Sequence, residues 1–500
     1  MPIYESIKRL FKHSVVYGIG HIVTRSIGFL LLPMYTNIFP RDDFGVAGLM
    51  FTYLAILMII YTYGLDVALF RFYILEENER KKKCIFTTAL VTILATSVIF
   101  SGILFFGAES IAQMLFSKDV HELTINLPFL IRLASGILIF DALAFLPFQI
   151  LRAEERSLQY VIYKFLNVII NVTFNIIFLG VLKYGIEGIF IANIIASLTT
   201  FLMLAPIIIK HLTYSFSKVT LNELFAFGLP YLPSTLFVVL MDTVDRVFLE
   251  RLANVEAVGL YNAGAKLGMF MALYVAAFRF AWHPFFLSTS KQEDAKEVFA
   301  KVFTYVLLAC FTVFLLLSLF INDIARFRLF GYSLIGEEFW DSTVVVPVIM
   351  LAYIFYAAYL NFLIGIYLYK KTKYLPYITF AGVLGNLLAN YTLIPHLGIL
   401  GAAWARLVAY LIMAATLYVV AQRLYFVRYE WLKVIKLCVV AGVIFALGQN
   451  ALVQSNVLLK TGLFIAFPIA LLLTGLLDRT EINKMRKLTS NFIPAIGKSK

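Results

Sequence analysis

The chain has 500 residues, of which 61% are hydrophobic and only 14% are charged, and its mean hydropathy is +0.88. This composition excludes an ordinary water-soluble globular protein, because a soluble surface needs charged residues between its apolar runs. The net charge of +13 does not indicate a nucleic-acid partner, since the lysines and arginines fall mainly in short loops between apolar runs.

Fourteen apolar runs of about 20 residues or more follow one another along the chain, each long enough to cross hydrocarbon as a helix. Over that length only a helix satisfies its own backbone in lipid. We therefore predict an all-α polytopic membrane protein with fourteen transmembrane helices. The predicted spans are 14–38, 44–70, 85–107, 124–150, 158–181, 186–209, 224–250, 257–287, 297–321, 343–369, 374–394, 399–421, 434–453 and 457–477.

The positions of the basic residues predict on which side of the membrane the loops and termini lie. Lys and Arg are concentrated before the first span, in the loops that follow even-numbered spans and in the C-terminal tail, as in RKKK (80–83), KKTK (370–373) and KMRK (484–487). Because Lys and Arg favour cytoplasmic loops, we expect both termini in the cytoplasm. The first span is not preceded by the pattern of a cleaved signal peptide, so we expect none to be removed.

The connecting loops leave no room for a soluble catalytic domain. The longest external loop, 322–342, is expected to hold at most a short interfacial helix. The GxxxxGK[ST], HExxH and GxSxG motifs of ATP hydrolysis, zinc peptidases and serine hydrolases do not occur. Cys84, Cys310 and Cys438 have unrelated spacings, which argues against a disulfide framework or a metal cluster. We predict that the protein is not an enzyme.

The two halves of the chain resemble each other. Gly45 in IFPRDDFGVAG matches Gly259 in LANVEAVGLYNAG, 214 residues later. Further on, NVTFNIIFLGVLKYGIEGIFIA (171–192) resembles NLLANYTLIPHLGILGAAWA (386–405), with an Asn-xxx-Asn pair followed by Gly-x-x-Gly in each. Because the offset is nearly constant, we predict that spans 1–6 are repeated as spans 7–12.

The repeat predicts a domain organisation. Residues 1–212 form an N-lobe, 213–424 form a C-lobe, and 425–500 contribute a C-terminal helix pair and a basic cytoplasmic tail. Each six-helix lobe has an even number of spans, so the two share one orientation and are related by a pseudo-two-fold axis along the membrane normal. A cleft between the lobes follows from this arrangement.

Charged residues inside the spans are candidates for function. Each would cost about 2.5–3.5 kcal/mol near the midplane if it faced lipid, so they must pair, reach an interface or line a wet cavity. We expect interface contact or local pairing for Asp66, Lys164 and Arg279 on the cytoplasmic side, and for Arg132 and Arg406 on the outer side. Asp242 and Arg246 share a helix face and can form a salt bridge. Asp141 is a further charge within a span.

Arg25 lies deep in the first predicted span, and no carboxylate lies near it in the sequence. The functional hypothesis is a guanidinium exposed in the cleft that holds an anionic group, with Lys266 as a second candidate. The structural alternative is an interhelical pair of Arg25 with Asp66 or Asp141. His21, one turn before Arg25, is more readily explained as a structural histidine than as a proton carrier.

A second candidate site concerns ion coupling. Asp242, Asp245, Asn386 and Asn390 lie at similar depth in predicted spans 7 and 11. Their oxygen atoms could coordinate Na⁺, or the carboxylates could bind a proton. Hydrogen bonds that only stabilise the fold would explain Asn386 and Asn390 as well as an ion-coupling role would. No other metal or cofactor is predicted.

Several stretches, in this order, resemble the multidrug/oligosaccharidyl-lipid/polysaccharide (MOP) exporter superfamily, and specifically its polysaccharide transporter branch of Wzx-type flippases: TRSIGFLLLPMYTNIFPRDDFGVAGL, YTYGLDVALFRFY, LRAEERSLQYV, YGIEGIF and MDTVDRVFLERLANVEAVGLYNAGAKL. The resemblance covers essentially the whole chain. It implies two six-helix lobes, alternating access, and movement of an undecaprenyl-diphosphate-linked oligosaccharide across the bacterial inner membrane for O-antigen, capsule or exopolysaccharide synthesis.

The partners expected from this resemblance are the lipid-linked oligosaccharide, membrane lipids and polysaccharide polymerase or assembly proteins, for a protein acting as a monomer. A lipid II flippase would fit the charges as well. A MATE-type drug or cation antiporter has the same architecture, but its cationic substrates would be repelled by Arg25 and Lys266. A membrane glycan polymerase or ligase would need a large external loop, which this chain lacks.

Overall fold

The computed structural model describes residues 29–290, 292–329, 331–369 and 371–475. Contacts divide this part of the chain into two compact units. The larger unit comprises the described residues of Met1–Thr289 and Ala325–Tyr425, and the smaller unit those of Ser290–Ile324 and Phe426–Lys500. The predicted lobe boundaries at residues 212 and 424 describe sequence repeats instead of contact units, and they stay a prediction.

The first half of the described chain is helical throughout. Asn126, for example, caps one long helix by accepting a 3.0 Å hydrogen bond from the backbone N–H of Phe129, and Pro128 fits the first turn, where no N–H partner is needed. The α-helices are α1 (Leu32–Ile38), α2 (Arg41–Thr62), α3 (Leu65–Leu75), α4 (Glu79–Phe106), α5 (Ala108–Leu115), α6 (Lys118–His121), α7 (Leu127–Ala153), α8 (Ser157–Asn175) and α9 (Glu187–His211).

The second half contains further helices and one small hairpin. The elements are α10 (Lys218–Gly228), α11 (Leu232–Leu252), α12 (Val255–Thr289), α13 (Ala295–Arg326), β1 (Arg328–Leu329), β2 (Tyr332–Ser333), α14 (Val346–Phe362), α15 (Ile364–Leu368), α16 (Leu375–Leu397), α17 (Ile399–Leu424), α18 (Trp431–Gly448), α19 (Ala451–Gln454) and α20 (Val457–Leu473).

The segment between α13 and α14 differs from the sequence prediction of at most a short interfacial helix. β1 and β2 pair in antiparallel fashion, with Arg328 opposite Ser333, and a 3₁₀ helix, Glu337–Val345, leads into α14. Gly331 adopts a left-handed φ of 88° in the turn, a conformation that glycine reaches without steric cost. Hydrophobicity patterns do not reveal such a short hairpin, because each strand has only two residues.

Ten helices in the described part of the chain are long and apolar enough to cross a membrane. An eleventh is obtained when Lys218–Tyr231 and Thr235–Leu252, bent by 44°, count as one span, and Val457–Leu473 is a shorter apolar helix. The predicted all-α polytopic membrane fold is therefore confirmed. The total of fourteen spans stays a prediction, because most of the first span lies outside the described residues.

Two predicted spans are interrupted helices. The span predicted at 44–70 breaks between α2 and α3, where Tyr63 and Gly64 have left-handed φ angles of 31° and 80°. The span predicted at 224–250 breaks between α10 and α11, at a 3₁₀ turn, Leu229–Tyr231, that contains Pro230. The two breaks meet in the larger unit, because a Cβ atom on Gly64 would collide with the carbonyl oxygen of Gly228. Glycine at both positions permits this backbone contact.

The two halves of the sequence repeat also meet near the other end of α2. A Cβ atom on Gly45 would collide with the carbonyl oxygen of Val255, and one on Gly259 would collide with that of Arg41 and lie 3.2 Å from the backbone nitrogen of Gly45. The glycines matched by the repeat therefore face each other across the crossing of α2 and α12. The predicted pseudo-two-fold axis would bring equivalent residues that lie close to it together in this way.

The smaller unit contains α18, α19 and α20 with α13 up to Ile324. The Lys460 ammonium is fully buried and lies 2.5 Å from the Asp323 carboxylate. Thr304 donates a 2.8 Å hydrogen bond to Glu430, which ties α13 to the start of α18. A buried ammonium needs such a partner, so Asp323 explains how α20 tolerates a lysine in an apolar helix.

Candidate functional site

A polar cavity of about 460 Å³ lies inside the larger unit. Its walls come from α1, α2, α8, α9, α11, α12, α14 and α17, so both halves of the sequence repeat contribute. The polar residues in its walls are Tyr35, Thr52, Asn167, Asn171, Asn193, Asp242, Thr243, Arg246, Asn262, Lys266, Tyr353 and Arg406. We refer to it as the central cavity.

Lys266, a predicted headgroup ligand, lies in the wall of the central cavity. Its ammonium is 5.4 Å from the centre of the Tyr35 ring and 5.0 Å from that of Phe44. Aromatic faces attract a cation without neutralising its charge. Among the described residues no carboxylate pairs with Lys266, so its charge is available to a ligand in the cavity.

Arg246 is a second cation of this cavity, and its partners differ from the one predicted from the sequence. Its Nε donates to the side-chain oxygen of Asn262, and its Nη1 donates a 3.0 Å hydrogen bond to the backbone carbonyl of Asp242. The expected salt bridge with the Asp242 carboxylate is therefore replaced by a bond to the main chain. Among the described residues Arg246 forms no ion pair, so it too keeps a full positive charge beside the cavity.

Asn262 completes a cluster of hydrogen-bond donors. The side chain is 3% exposed, and among the described residues its Nδ2 group has no hydrogen-bond partner. A buried amide without a partner costs free energy, which a bound acceptor would recover. Gly48 on α2 leaves the space for this amide, because a Cβ atom there would collide with Nδ2. We call Arg246, Asn262 and Lys266 the donor cluster.

Asp245 forms the most saturated polar site in the described chain. Its carboxylate is fully buried and accepts hydrogen bonds from Arg406 Nη2 at 2.7 Å, Arg406 Nε at 3.1 Å, and the Tyr261 hydroxyl at 2.7 Å. The amides of Asn386 and Asn390 donate two more, at 3.3 and 3.1 Å. Five bonds exceed the roughly four lone-pair positions of a carboxylate, so this group is fully engaged.

The structure therefore separates the four residues of the predicted coupling site. Asp245, Asn386 and Asn390 lie together around the Arg406 guanidinium, which is 3% exposed and supplies the positive charge that Asp245 needs. Asp242 points elsewhere: its Oδ1 accepts a 2.7 Å hydrogen bond from Tyr410. Asp242 also lines the central cavity, so it is the member of the set that an ion from the cavity can reach.

The equivalent amide pair of the first repeat is neutral. Asn175 donates to Asn171 Oδ1 at 3.0 Å and accepts a 2.8 Å hydrogen bond from the Tyr35 hydroxyl. Asn175 is fully buried, and Asn171 lies in the wall of the central cavity. Hydrogen bonding accounts for this pair without a charge.

The remaining intramembrane charges lie outside the donor cluster. Arg132 pairs with Glu109 at 3.5 Å and has an exposed side chain, as expected for a residue that reaches an interface. Asp66 lines a separate cavity between α2, α3, α7 and α11, and Arg279 lines a second cavity beside the central one. Arg25 and His21 lie outside the described residues, so the predicted role of Arg25 stays a prediction.

Asp141 and Lys164 lie near each other in the first repeat. The two groups are close enough for their opposite charges to interact, and Ser197 lies beside Asp141. The Lys164 ammonium also lies 4.1 Å from the centre of the Phe148 ring. From the sequence, Asp141 was one of two alternative partners of Arg25, but in the described chain its basic neighbour is Lys164.

Solved structures of membrane transporters share this fold. The lipid II flippase MurJ in an inward closed conformation matches with a TM-score of 0.72 and 16% identity, over 91% of this chain and 98% of that one. A multidrug resistance MATE family transporter of the MOP superfamily, in an inward-facing conformation, matches with a TM-score of 0.61 and 16% identity, over 80% of this chain and 94% of that one. The chain therefore shares the α-helical fold of these two proteins.

Sequence relatives identify the branch. The chain belongs to the polysaccharide biosynthesis protein family, which matches residues 10–290. Lsg locus putative protein 1 of Haemophilus influenzae is 20% identical over 409 residues, which cover 76% of this chain and 96% of that protein. The membrane protein MJ1068 of Methanocaldococcus jannaschii is 22% identical over 435 residues, covering 81% and 83%. The predicted assignment to a polysaccharide branch of this fold is confirmed, and the chain is a multi-pass membrane protein.

Proposed function

We propose that this protein moves an undecaprenyl-diphosphate-linked oligosaccharide from the cytoplasmic to the outer leaflet of the bacterial inner membrane by alternating access. The glycan would enter a cell-surface polysaccharide such as O-antigen, capsule or exopolysaccharide. Membership of the polysaccharide biosynthesis family and the MOP fold support this proposal. The bias of Lys and Arg supports cytoplasmic termini.

The donor cluster is the observation that carries the proposal. Lys266 and Arg246 present two positive charges without a carboxylate partner among the described residues, and Asn262 adds an unpartnered N–H donor. A diphosphate needs such donors, because an unpaired charge is too costly to bury. Each charge-assisted hydrogen bond is worth about 1.5–3 kcal/mol. The cluster therefore suits a diphosphate headgroup whose lipid chain remains in the bilayer.

Three alternative functions differ in how well they fit the donor cluster and the loops. The cationic substrate of a drug antiporter would be repelled by Lys266 and Arg246. A lipid II headgroup is also a diphosphate, so the donor cluster alone does not separate lipid II from other lipid-linked glycans, and the family assignment favours the latter. A glycan polymerase or ligase is disfavoured by the small external segment of β1, β2 and a 3₁₀ helix.

We further propose that Asp242 is the ionisable group of any Na⁺ or proton coupling in this part of the chain. Its carboxylate accepts one hydrogen bond from Tyr410 and borders the central cavity. Asp245, in contrast, is occupied by Arg406 and three further donors of the described chain, Tyr261, Asn386 and Asn390. Flipping measured under separately imposed Na⁺, pH and voltage gradients tests this assignment, and a gradient dependence that survives in Asp242→Asn contradicts it.

The headgroup role is tested with purified protein in proteoliposomes that contain a fluorescent undecaprenyl-diphosphate-linked glycan. A membrane-impermeant quencher reports the fraction of glycan in the outer leaflet over time. We expect Lys266→Ala and Arg246→Gln each to slow flipping by about tenfold or more, the loss of one charge-assisted bond. Arg25→Ala tests the predicted third cation in the same assay.

Arg132→Gln is the matched control, because it removes an intramembrane cation that lies away from the central cavity. It should flip the glycan at the wild-type rate. Normal flipping by both Lys266→Ala and Arg246→Gln, in correctly inserted protein, would refute the headgroup role.

A further inference from the structure

A second cavity, of about 160 Å³, adjoins the central cavity inside the larger unit. Asp242 and Tyr353 belong to the walls of both. Three more tyrosines, Tyr356, Tyr359 and Tyr410, line the second cavity. We call it the tyrosine chamber. Because the two cavities share wall residues, a ligand held in one can extend into the other.

The tyrosine chamber offers both ring faces and hydroxyl groups. Tyr356 lies parallel to Tyr359, with ring centres 5.9 Å apart, and its ring centre is 5.1 Å from that of Tyr410. Tyr410 donates its hydroxyl to Asp242, whereas the hydroxyls of Tyr356 and Tyr359 have no hydrogen-bond partner among the described residues. Buried tyrosine hydroxyls usually find a partner. Two phenolic hydroxyls therefore remain for a ligand, in a cavity that Asp242 and Arg279 also line.

These groups select one class of ligand. The chamber wall carries one carboxylate, Asp242, and one guanidinium, Arg279, so it has no excess positive charge to hold a diphosphate. A lipid chain would leave the phenolic hydroxyls without partners. A sugar ring satisfies both requirements, because its C–H faces pack on aromatic rings while its hydroxyls bond to phenols and carboxylates. The chamber is also small compared with the central cavity of about 460 Å³, which limits its contents to a short segment of the substrate.

We propose that the tyrosine chamber binds the first sugar of the lipid-linked glycan, the hexose or N-acetylhexosamine attached directly to the diphosphate. This inference rests on the proposed function. A diphosphate on Lys266 and Arg246 lies in the cavity that Asp242 borders, so the sugar bonded to that diphosphate is the part of the substrate closest to the chamber. The chamber sets selectivity for the first sugar, while later sugars stay outside it.

The test compares five lipids bound to the full-length protein in nanodiscs. They are undecaprenyl diphosphate itself and its conjugates with a single glucose, galactose, N-acetylglucosamine or N-acetylgalactosamine. At least one conjugate should bind wild type about tenfold more tightly than undecaprenyl diphosphate. Tyr356→Phe and Tyr359→Phe should each remove about fivefold of this sugar-dependent gain, the effect of one neutral hydrogen bond, and leave the affinity for undecaprenyl diphosphate unchanged.

Tyr61→Phe is the matched control. Its hydroxyl is bonded to Ser101 in the first repeat, away from the chamber, so this variant should bind all five lipids like wild type. Equal wild-type affinity for all five lipids would overturn the sugar site, and so would an undiminished sugar-dependent gain in both chamber variants. Unchanged binding of undecaprenyl diphosphate by Lys266→Ala would instead overturn the headgroup role in the proposed function, so the two failures are distinguishable.

Discussion

The two repeats contain the same pair of asparagines in different electrostatic settings. In the first repeat, Asn175 donates to Asn171 and accepts a hydrogen bond from the neutral hydroxyl of Tyr35. In the second, Asn386 and Asn390 donate to the Asp245 carboxylate, and that carboxylate holds the Arg406 guanidinium. The internal geometry of each pair is nearly identical, with amide-to-amide distances of 3.0 and 3.1 Å.

This difference shows how a repeated scaffold acquires distinct halves. An i, i+4 amide pair on a helix can serve as acceptor or donor, because each amide carries both functions. The first repeat uses it to fix a tyrosine in the cavity wall. The second uses it to stabilise a buried ion pair, which is costly to desolvate and needs every available donor. Accordingly, all charged side chains that line the central cavity in the described chain belong to the second repeat.

The largest expected effect comes from breaking the ion pair. Asp245→Asn should lower the free energy of unfolding by roughly 3–5 kcal/mol, because it leaves the Arg406 guanidinium buried without a counter-charge. Unfolding of the purified protein in mixed micelles by increasing denaturant measures this loss. The double variant Asp245→Asn/Arg406→Gln should recover part of it, and a double variant that is less stable than Asp245→Asn would contradict the assignment.

The crossing of α2 and α12 gives the next prediction. Gly45→Ala should cost about 1–3 kcal/mol, because its new Cβ meets a backbone carbonyl that cannot move aside. Gly48→Ala meets only the side-chain amide of Asn262, so it should preserve stability better and instead slow flipping by disturbing the bond to Arg246. Unfolding and proteoliposome flipping are measured on both variants. Equal losses in both assays would show that the two glycines do not differ in role.

A smaller effect on stability is expected in the first repeat, where the asparagine pair binds a neutral hydroxyl. Tyr35→Phe removes one hydrogen bond to Asn175 and should lower the free energy of unfolding by about 1 kcal/mol. The same denaturant titration compares it with Asp245→Asn. If Tyr35→Phe and Asp245→Asn lowered the free energy of unfolding equally, the two asparagine pairs would not differ in their contribution to stability.

The smallest effect concerns pH and a cluster found in the first repeat. Glu154, in the loop between α7 and α8, lies 2.8 Å from His211 and accepts a 3.0 Å hydrogen bond from Tyr73. Burial acts to raise the pKa of Glu154, but these hydrogen bonds outweigh it and hold the pKa below its usual value. The stability gained from the carboxylate is therefore present above about pH 4.3, the ordinary pKa of Glu, and is lost as the pH falls through the lowered pKa.

Thermal unfolding of wild type and Glu154→Gln at a series of pH values checks this prediction. The wild type should be more stable near neutral pH, and the difference should shrink as the solution becomes acidic. A difference that stays constant with pH would show that the carboxylate charge makes no contribution.

The helical spans could be predicted from the sequence because hydrocarbon thickness imposes one length and one composition on each of them. The breaks could not be predicted. Tyr63 and Gly64 end α2 through a left-handed backbone that apolar neighbours do not reveal. The second break was visible only as GLPYLP, and a Pro-containing segment does not by itself distinguish a kink from an uninterrupted helix.

The site was predictable in its residue types but not in its pairings. Lys266 was predicted as a second candidate cation because it is a charged residue within a predicted span, and the structure places it in the cavity wall. Arg246 was assigned to its sequence neighbour Asp242, because only local pairs can be seen in a sequence. The actual partner of Asp245 is Arg406, 161 residues away. Which basic residue pairs with Asp245 depends on how α11, α16 and α17 are rotated against one another. A hydropathy pattern does not encode this rotation.

The contact between Gly64 and Gly228 has a consequence for how the two interrupted helices are held together. Two peptide groups touch there without any side chain between them. Their closeness depends on backbone shape, so substitutions that change the charge of the cavity walls can leave this contact in place. A methyl group at either position would act as a wedge between α3 and α10.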